Sequence, residues 1–167
     1  ASDVYKRQLG ILIRNSDSRI VAIQIRKDTI QEGDSRYIWF SSSFATYNPD
    51  EYNGGNGCGS PKDVCYPQML KKHTLCITEG RFKSEKLTES GNISISVQGV
   101  TSWHGIEETI KHMNGIHNVF IFFDADILGK HVLFMQSEKM IRKIQDEFPG
   151  LYIRYAFRSK KNGKGID

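Results

Sequence analysis

Hydrophobic and polar positions alternate with a period of two over residues 19–28. Ile20, Ala22, Gln24 and Arg26 fall on one side, and Val21, Ile23, Ile25 and Lys27 on the other. That period predicts a β-strand with two distinct faces. A short apolar run, residues 10–14, precedes it across the polar cluster 15–18. Two such runs joined by a four-residue turn predict a hairpin. Gly33 and Asp34 mark a further turn, and the aromatic-rich run 36–41 predicts a third strand. Residues 9–41 thus read as a three-stranded antiparallel unit.

The next stretch, residues 42–72, has no clear period. Gly54, Gly55, Gly57 and Gly59 crowd its middle, and Pro49, Pro61 and Pro67 punctuate it. Backbone amides of residues 54–60 could cradle a phosphate, but the GK[ST] ending of a P-loop is absent. A Gly/Pro-rich connector is the favoured reading.

From His73 the rhythm changes. Residues 74–77, 93–97, 119–123 and 151–157 are apolar runs of strand length. Between them, residues 80–90, 105–114 and 132–148 carry helical spacing. Phe82 and Leu87 are the apolar positions of the first, and Ile106, Ile110 and Met113 form a stripe on the second. The third has Phe134, Ile141, Ile144 and Phe148 near one face and ends at Pro149-Gly150. This β-α-β-α-β-α-β order predicts an α/β fold. It has a mostly parallel four-stranded sheet with helices on both faces, preceded by the small antiparallel β unit. The domain division is 1–8, 9–43, 44–72 and 73–167.

Composition adds little to the fold but narrows the function. The 167 residues hold 23 Lys plus Arg and 19 Asp plus Glu, a net charge of +4. The excess sits at the two ends. Residues 1–8 contribute +1 and residues 158–167 contribute +3, which leaves residues 9–157 with 17 charges of each sign. Nucleic-acid affinity is therefore expected from the C-terminal basic loop, Arg158, Lys160, Lys161 and Lys164. No apolar run approaches a membrane span, so no membrane partner is expected. Cys58, Cys65 and Cys76 contain no CxxC pair, which argues for reduced thiols in a cytoplasmic protein rather than a disulfide framework or structural zinc. His104, His112, His117 and His131 lack ligand-like spacing.

Candidate chemistry comes from the ends of the parallel strands, where ligands bind in such sheets. Glu79 follows one strand pattern, and Asp124 and Asp126 follow another. Two carboxylates about 4 Å apart repel by about 4 kcal/mol at an effective dielectric of 20. Such a cluster is costly unless protonated or holding a cation. Oxygen donors without His or Cys suit Mg²⁺ or Mn²⁺. Gly80 supplies a sharp turn between strand and helix, and Gly99 supplies another after the next strand. Amides opening the helix at Arg81 and Lys83 can hold a phosphate; for Arg81 a solvated helix face is an equal alternative. Trp103 can stack a base or pack under its loop, with packing favoured.

These residues carry a resemblance. Ile77-Thr78-Glu79-Gly80, followed by Phe123-Asp124-Ala125-Asp126 with this order of elements, resembles the toprim domain of bacterial primases, topoisomerases and several nucleases. The upstream strands are similar to the segment before toprim in bacterial primases. The ordered set 78–83, 98–103 and 163–167 resembles the domain of unknown function 3854 family of plasmids, phages and integrative elements. The resemblance covers residues 9–167.

It implies Glu79 as an acid/base or metal-proximal carboxylate and Asp124 and Asp126 as Mg²⁺ ligands. Asp167 joins a third acidic motif, whose family pattern continues with another acid. Lys83 matches the family's basic position after the Glu-Gly pair. The implied function is Mg²⁺-dependent nucleotidyl transfer, primase-like primer synthesis in the DNA replication of a mobile element. The implied partners are a single-stranded DNA template, nucleoside triphosphates and a replicative helicase, in a bacterial or phage-infected cell. The alternatives are a toprim nuclease and a non-catalytic nucleic-acid-binding module. Residues 1–8 resemble translated sequencing adapter, so the chain reads as an internal piece of a longer protein.

Overall fold

The computed structural model describes residues 8–41 and 58–156. Three strands, β1 (Gln8–Arg14), β2 (Ile20–Lys27) and β3 (Tyr37–Trp39), form an antiparallel sheet in that order. Asn15 closes the first turn: its side-chain oxygen accepts from the amides of Asp17 and Arg19. This is the hairpin that the polar cluster predicts.

A second sheet has five strands. Its members are β4 (Asp63–Cys65), β5 (Thr74–Glu79), β6 (Ile93–Val97), β7 (Asn118–Phe122) and β8 (Tyr152–Tyr155). The spatial order is β4-β6-β5-β7-β8. Strands β5 to β8 run parallel, as expected from the alternation with helices. The fifth strand is a correction to the four predicted. β4 lies in the stretch read as a connector and pairs antiparallel with β6 at the sheet edge. Three residues between Pro61 and Pro67 are too few to show a period.

Helices α1 (Arg81–Thr88), α2 (Ile106–Lys111) and α3 (His131–Glu147) connect the parallel strands, with a short 3₁₀ turn, Ala125–Gly129, before α3. Side chains on alternate strand positions point to opposite faces. On one face Leu75, Ile77, Ile93, Ile95, Val97, Val119 and Ile121 join Ile106 and Ile110 of α2 and Met140 and Ile144 of α3 in the main core. Each fully buried aliphatic side chain here contributes roughly 1.5–3 kcal/mol. On the other face α1 lies over β4, β5 and β6. On this face Ser84 and Leu87 of the helix are buried, as are Cys76, Ser94 and Ser96 of the strands. Phe82, the other apolar position of this helix, is 49% exposed. Trp103 packs as favoured: it is buried, and its Nε1 donates to Gln136 Oε1 at 3.3 Å.

Two contacts lock the antiparallel sheet against the larger one. The Arg14 amide donates to Asp63 Oδ1 at 2.8 Å. Tyr66 Oη donates to the Ser16 carbonyl at 2.7 Å. The small sheet therefore stands beside β4, next to the carboxyl ends of the parallel strands. Among the described residues, no helix is long and apolar enough to cross a membrane.

Candidate active site

The chain leaves β5 toward β6 on one side, while β7 pairs on the other. The carboxyl ends of β5 and β7 thus flank the point where strand order reverses, the position where open α/β sheets bind ligands. Thr78 is in register with Phe122, and its hydroxyl donates to the Phe122 carbonyl at 2.8 Å. That bond fixes the two strand ends side by side. Glu79 is the next residue on one strand, and Asp124 lies two residues past Phe122 on the other.

Gly80 is the N-cap of α1 and Asp124 caps the 3₁₀ turn, and no side-chain cap hydrogen bond is made at either. Gly80 takes φ 78° and ψ 146°, a conformation open to glycine and strained for other residues. Its amide donates to the Val97 carbonyl at 3.2 Å. Gly99, in the loop after β6, has φ 142°.

The electrostatics centre on Glu79. Burial raises its pKa, and the Asp124 and Asp126 charges raise it further, against Lys83 and Lys130. The charges of both aspartates thus act on Glu79. Each aspartate has a lysine in place: Lys83 Nζ donates to Asp124 Oδ1 and Lys130 Nζ to Asp126 Oδ2, both at 2.6 Å. Among the described residues, no three His, Cys, Asp or Glu side chains form a ready group for a metal ion as they stand. The donor set at this edge is nonetheless all oxygen, electrostatically coupled, and compensated by flexible ammonium groups. It fits a hard divalent cation in chemical kind.

Arg81 is placed differently from its phosphate-contact reading. Its Nη1 donates to both oxygens of Asp63, at 2.8 and 3.1 Å, and its Nε to Glu85 at 2.7 Å. Nη1 also reaches the Leu12 carbonyl at 3.4 Å. Asp63 is fully buried. Burial pushes its carboxyl up, and the Arg14 amide and Arg81 pull it back. Arg81 thus ties α1 to β4 and β1. The solvated-face alternative does not describe it either, since its side chain is 15% exposed.

Between the two sheets lies a cleft of about 700 Å³. Ile11, Gln24, Arg26 and Tyr37 line it from the antiparallel sheet. Glu79, Phe82, Lys83, Lys86, Gln98 and Asp124 line it from the larger one. The structure thus brings Glu79, Gly80, Arg81, Lys83 and Asp124 to one cavity. Asp126 adjoins through its charge on Glu79, and Gly99 follows Gln98 at the rim. Arg158, Lys160, Lys161, Lys164 and Asp167 lie outside the described residues, as does most of the glycine-rich run 54–60. Sequence reasoning missed Arg26, Tyr37, Lys86 and Gln98. The available signal was the polar interruption Gln24–Arg26 within an otherwise apolar strand.

No family model matches the chain, and no curated protein matches it by sequence. Solved structures do match. The primase of Aquifex aeolicus, solved with its zinc-binding and RNA polymerase domains, aligns at TM-score 0.63 and 14% identity, over 99% of this chain and 38% of that one. A DNA primase domain from Pseudomonas aeruginosa aligns at TM-score 0.56 and 18% identity, over 99% and 49%. The DnaG primase catalytic domain bound to single-stranded DNA aligns at TM-score 0.56 and 15% identity, over 98% and 47%. The chain spans two fifths to one half of these proteins' lengths. It has the fold of the toprim-containing catalytic core of DnaG-type primases.

Proposed function

We propose that this chain is the Mg²⁺-dependent, primase-like nucleotidyl-transfer core of a mobile-element DNA replication protein, akin to the domain of unknown function 3854 family. One observation carries the proposal. Glu79 and Asp124 emerge side by side at the strand-order reversal, uncommitted to capping, into a cleft roofed by the antiparallel sheet. The primase fold supports the same reading.

Glu79, Asp124 and Asp126 would hold the cation. A bound Mg²⁺ would neutralise triphosphate charge and favour ionisation of an attacking 3′-hydroxyl. The chain's own groups supply the rest. Glu79, its pKa raised by burial and by the two aspartates, is the chain's candidate to accept and return a proton. Lys83, on the first turn of α1, can move from Asp124 to a phosphate oxygen. The free amides of that turn add dipole and hydrogen bonds. The partners are a single-stranded template and nucleoside triphosphates, with a replicative helicase as a further one.

Template-directed ribonucleotide incorporation by the full-length protein tests this. Products are expected to require template and Mg²⁺ and to vanish with Glu79→Gln or Asp126→Asn. Metal-dependent shortening of labelled DNA without synthesis would make it a nuclease. Salt-sensitive DNA binding with neither activity would leave a binding module.

A further inference from the structure

Two large aromatic side chains line the cleft without a core to enter. Phe82, on the first turn of α1, is 49% exposed, and Tyr37, on β3 across the cleft, is 41% exposed. An apolar ring of this size gains little by facing water. A phenylalanine three residues from a catalytic candidate is therefore a poor choice unless something covers it. The cleft also holds two buried donors with no hydrogen-bond partner, Arg26 Nε on the antiparallel-sheet wall and Gln98 Nε2 on the opposite wall. A buried donor left unmade costs about 1–3 kcal/mol, so both call for an acceptor. Lys83 and Lys86 add positive charge at the same rim. A ligand that satisfies all of these has a flat aromatic face, hydrogen-bond acceptors and negative charge.

We propose that Phe82 and Tyr37 form a base-stacking subsite, with Arg26 and Gln98 donating to acceptor atoms of the same nucleotide. This deepens the function proposed above and rests on it. The ligand chemistry is an unpaired nucleobase bearing phosphate, and either a strand or a mononucleotide supplies that. Stacking is tolerant of base identity, so the subsite holds a base in place rather than reading its sequence.

The test compares probes that differ only in the base. Affinities are measured for oligothymidylate against an abasic strand of equal length, and for ATP against inorganic triphosphate. The full chain is used, with Phe82→Ala, Tyr37→Ala and the ring-retaining Phe82→Tyr. Wild type is expected to prefer the base-bearing member of at least one pair by tenfold or more, the effect of about one base–aromatic stack. The pair that shows the preference identifies strand or mononucleotide. Each alanine variant should lose most of that preference while binding the base-free probe as before, and Phe82→Tyr should keep it. Both aromatic rings are exposed, so their truncation leaves the core intact. Equal affinity within both pairs in wild type, or an unchanged preference in the alanine variants, would overturn the subsite while leaving the cleft a phosphate-binding groove. Absence of binding to all four probes would overturn the underlying functional reading as well.

Discussion

Lys83 Nζ sits 2.6 Å from Asp124 Oδ1, joining the first turn of α1 to the end of β7. The lysine is 15% exposed and the aspartate 41%. The ammonium therefore balances the Asp124 carboxylate, and it also lowers the pKa of Glu79 against the opposing aspartates.

Lys83→Met removes that balance. Without divalent metal, thermal stability should fall by about 1 kcal/mol or less, as for a partly exposed ion pair. Added Mg²⁺ should then stabilise the variant more than the wild type. Melting curves with and without Mg²⁺ check both parts, and an equal Mg²⁺ response in the two proteins would contradict the exchange of lysine for metal.

Gly80 turns the chain between Glu79 and α1 with φ 78°. An added Cβ would meet no atom within 4 Å, so the cost of substitution is backbone strain alone. Gly80→Ala should cost roughly 1–3 kcal/mol in denaturant unfolding. Activity should fall further than stability explains, because relief of the strain moves the neighbouring Glu79.

The Arg81–Asp63 pair holds α1 to β4 with Asp63 fully buried. Removing one partner leaves the other charge uncompensated, so Arg81→Met or Asp63→Leu should each cost about 3 kcal/mol. Arg81→Met with Asp63→Leu should recover much of that loss. A double-mutant cycle by chemical denaturation measures the coupling, and additive effects would contradict it.

Burial pushes the Cys65 thiol up to about 11 and the Cys76 thiol up to about 12. A raised pKa keeps both protonated at neutral pH, and the reactive thiolate grows about tenfold per pH unit until those values. Alkylation at pH 8 should label the half-buried Cys58 first, with Cys65 and Cys76 following only as pH rises or the protein unfolds. Peptide mass spectrometry gives the order.

Much of this fold was legible from apolar runs. β6 runs from Ile93 to Val97 as predicted, and β5 and β7 agree within two residues at either end. These strands are buried enough for hydrophobicity alone to define them. β4 was not legible: its weight rests on Asp63, whose burial depends on Arg81 and Arg14, 18 and 49 residues away. The acids of the site were legible because carboxylates directly after strands are unusual. The opposite wall was not. Alternation in β2 separates Gln24 and Arg26 from Val21 and Ile23, and it does not say which face is enclosed. The structure encloses the more polar one: Gln24 is 8% exposed and Val21 45%. A rule based on burying the apolar face fails there because that wall faces a cleft, and functional clefts are where such rules give way. Helical spacing likewise cannot distinguish a ring packed in a core from one lining a groove, and of the two apolar positions of α1 Leu87 is buried while Phe82 is exposed.

The central claim is that Glu79, Asp124 and Asp126 form one divalent-cation site. Mn²⁺ binding followed by electron paramagnetic resonance tests it most directly, in wild type and in Asp124→Asn. The account predicts saturable Mn²⁺ binding by the wild type, displaced by Mg²⁺, and loss of that binding in Asp124→Asn with folding retained. Wild-type protein that leaves Mn²⁺ free, or an Asp124→Asn variant that binds it as tightly as wild type, would contradict it.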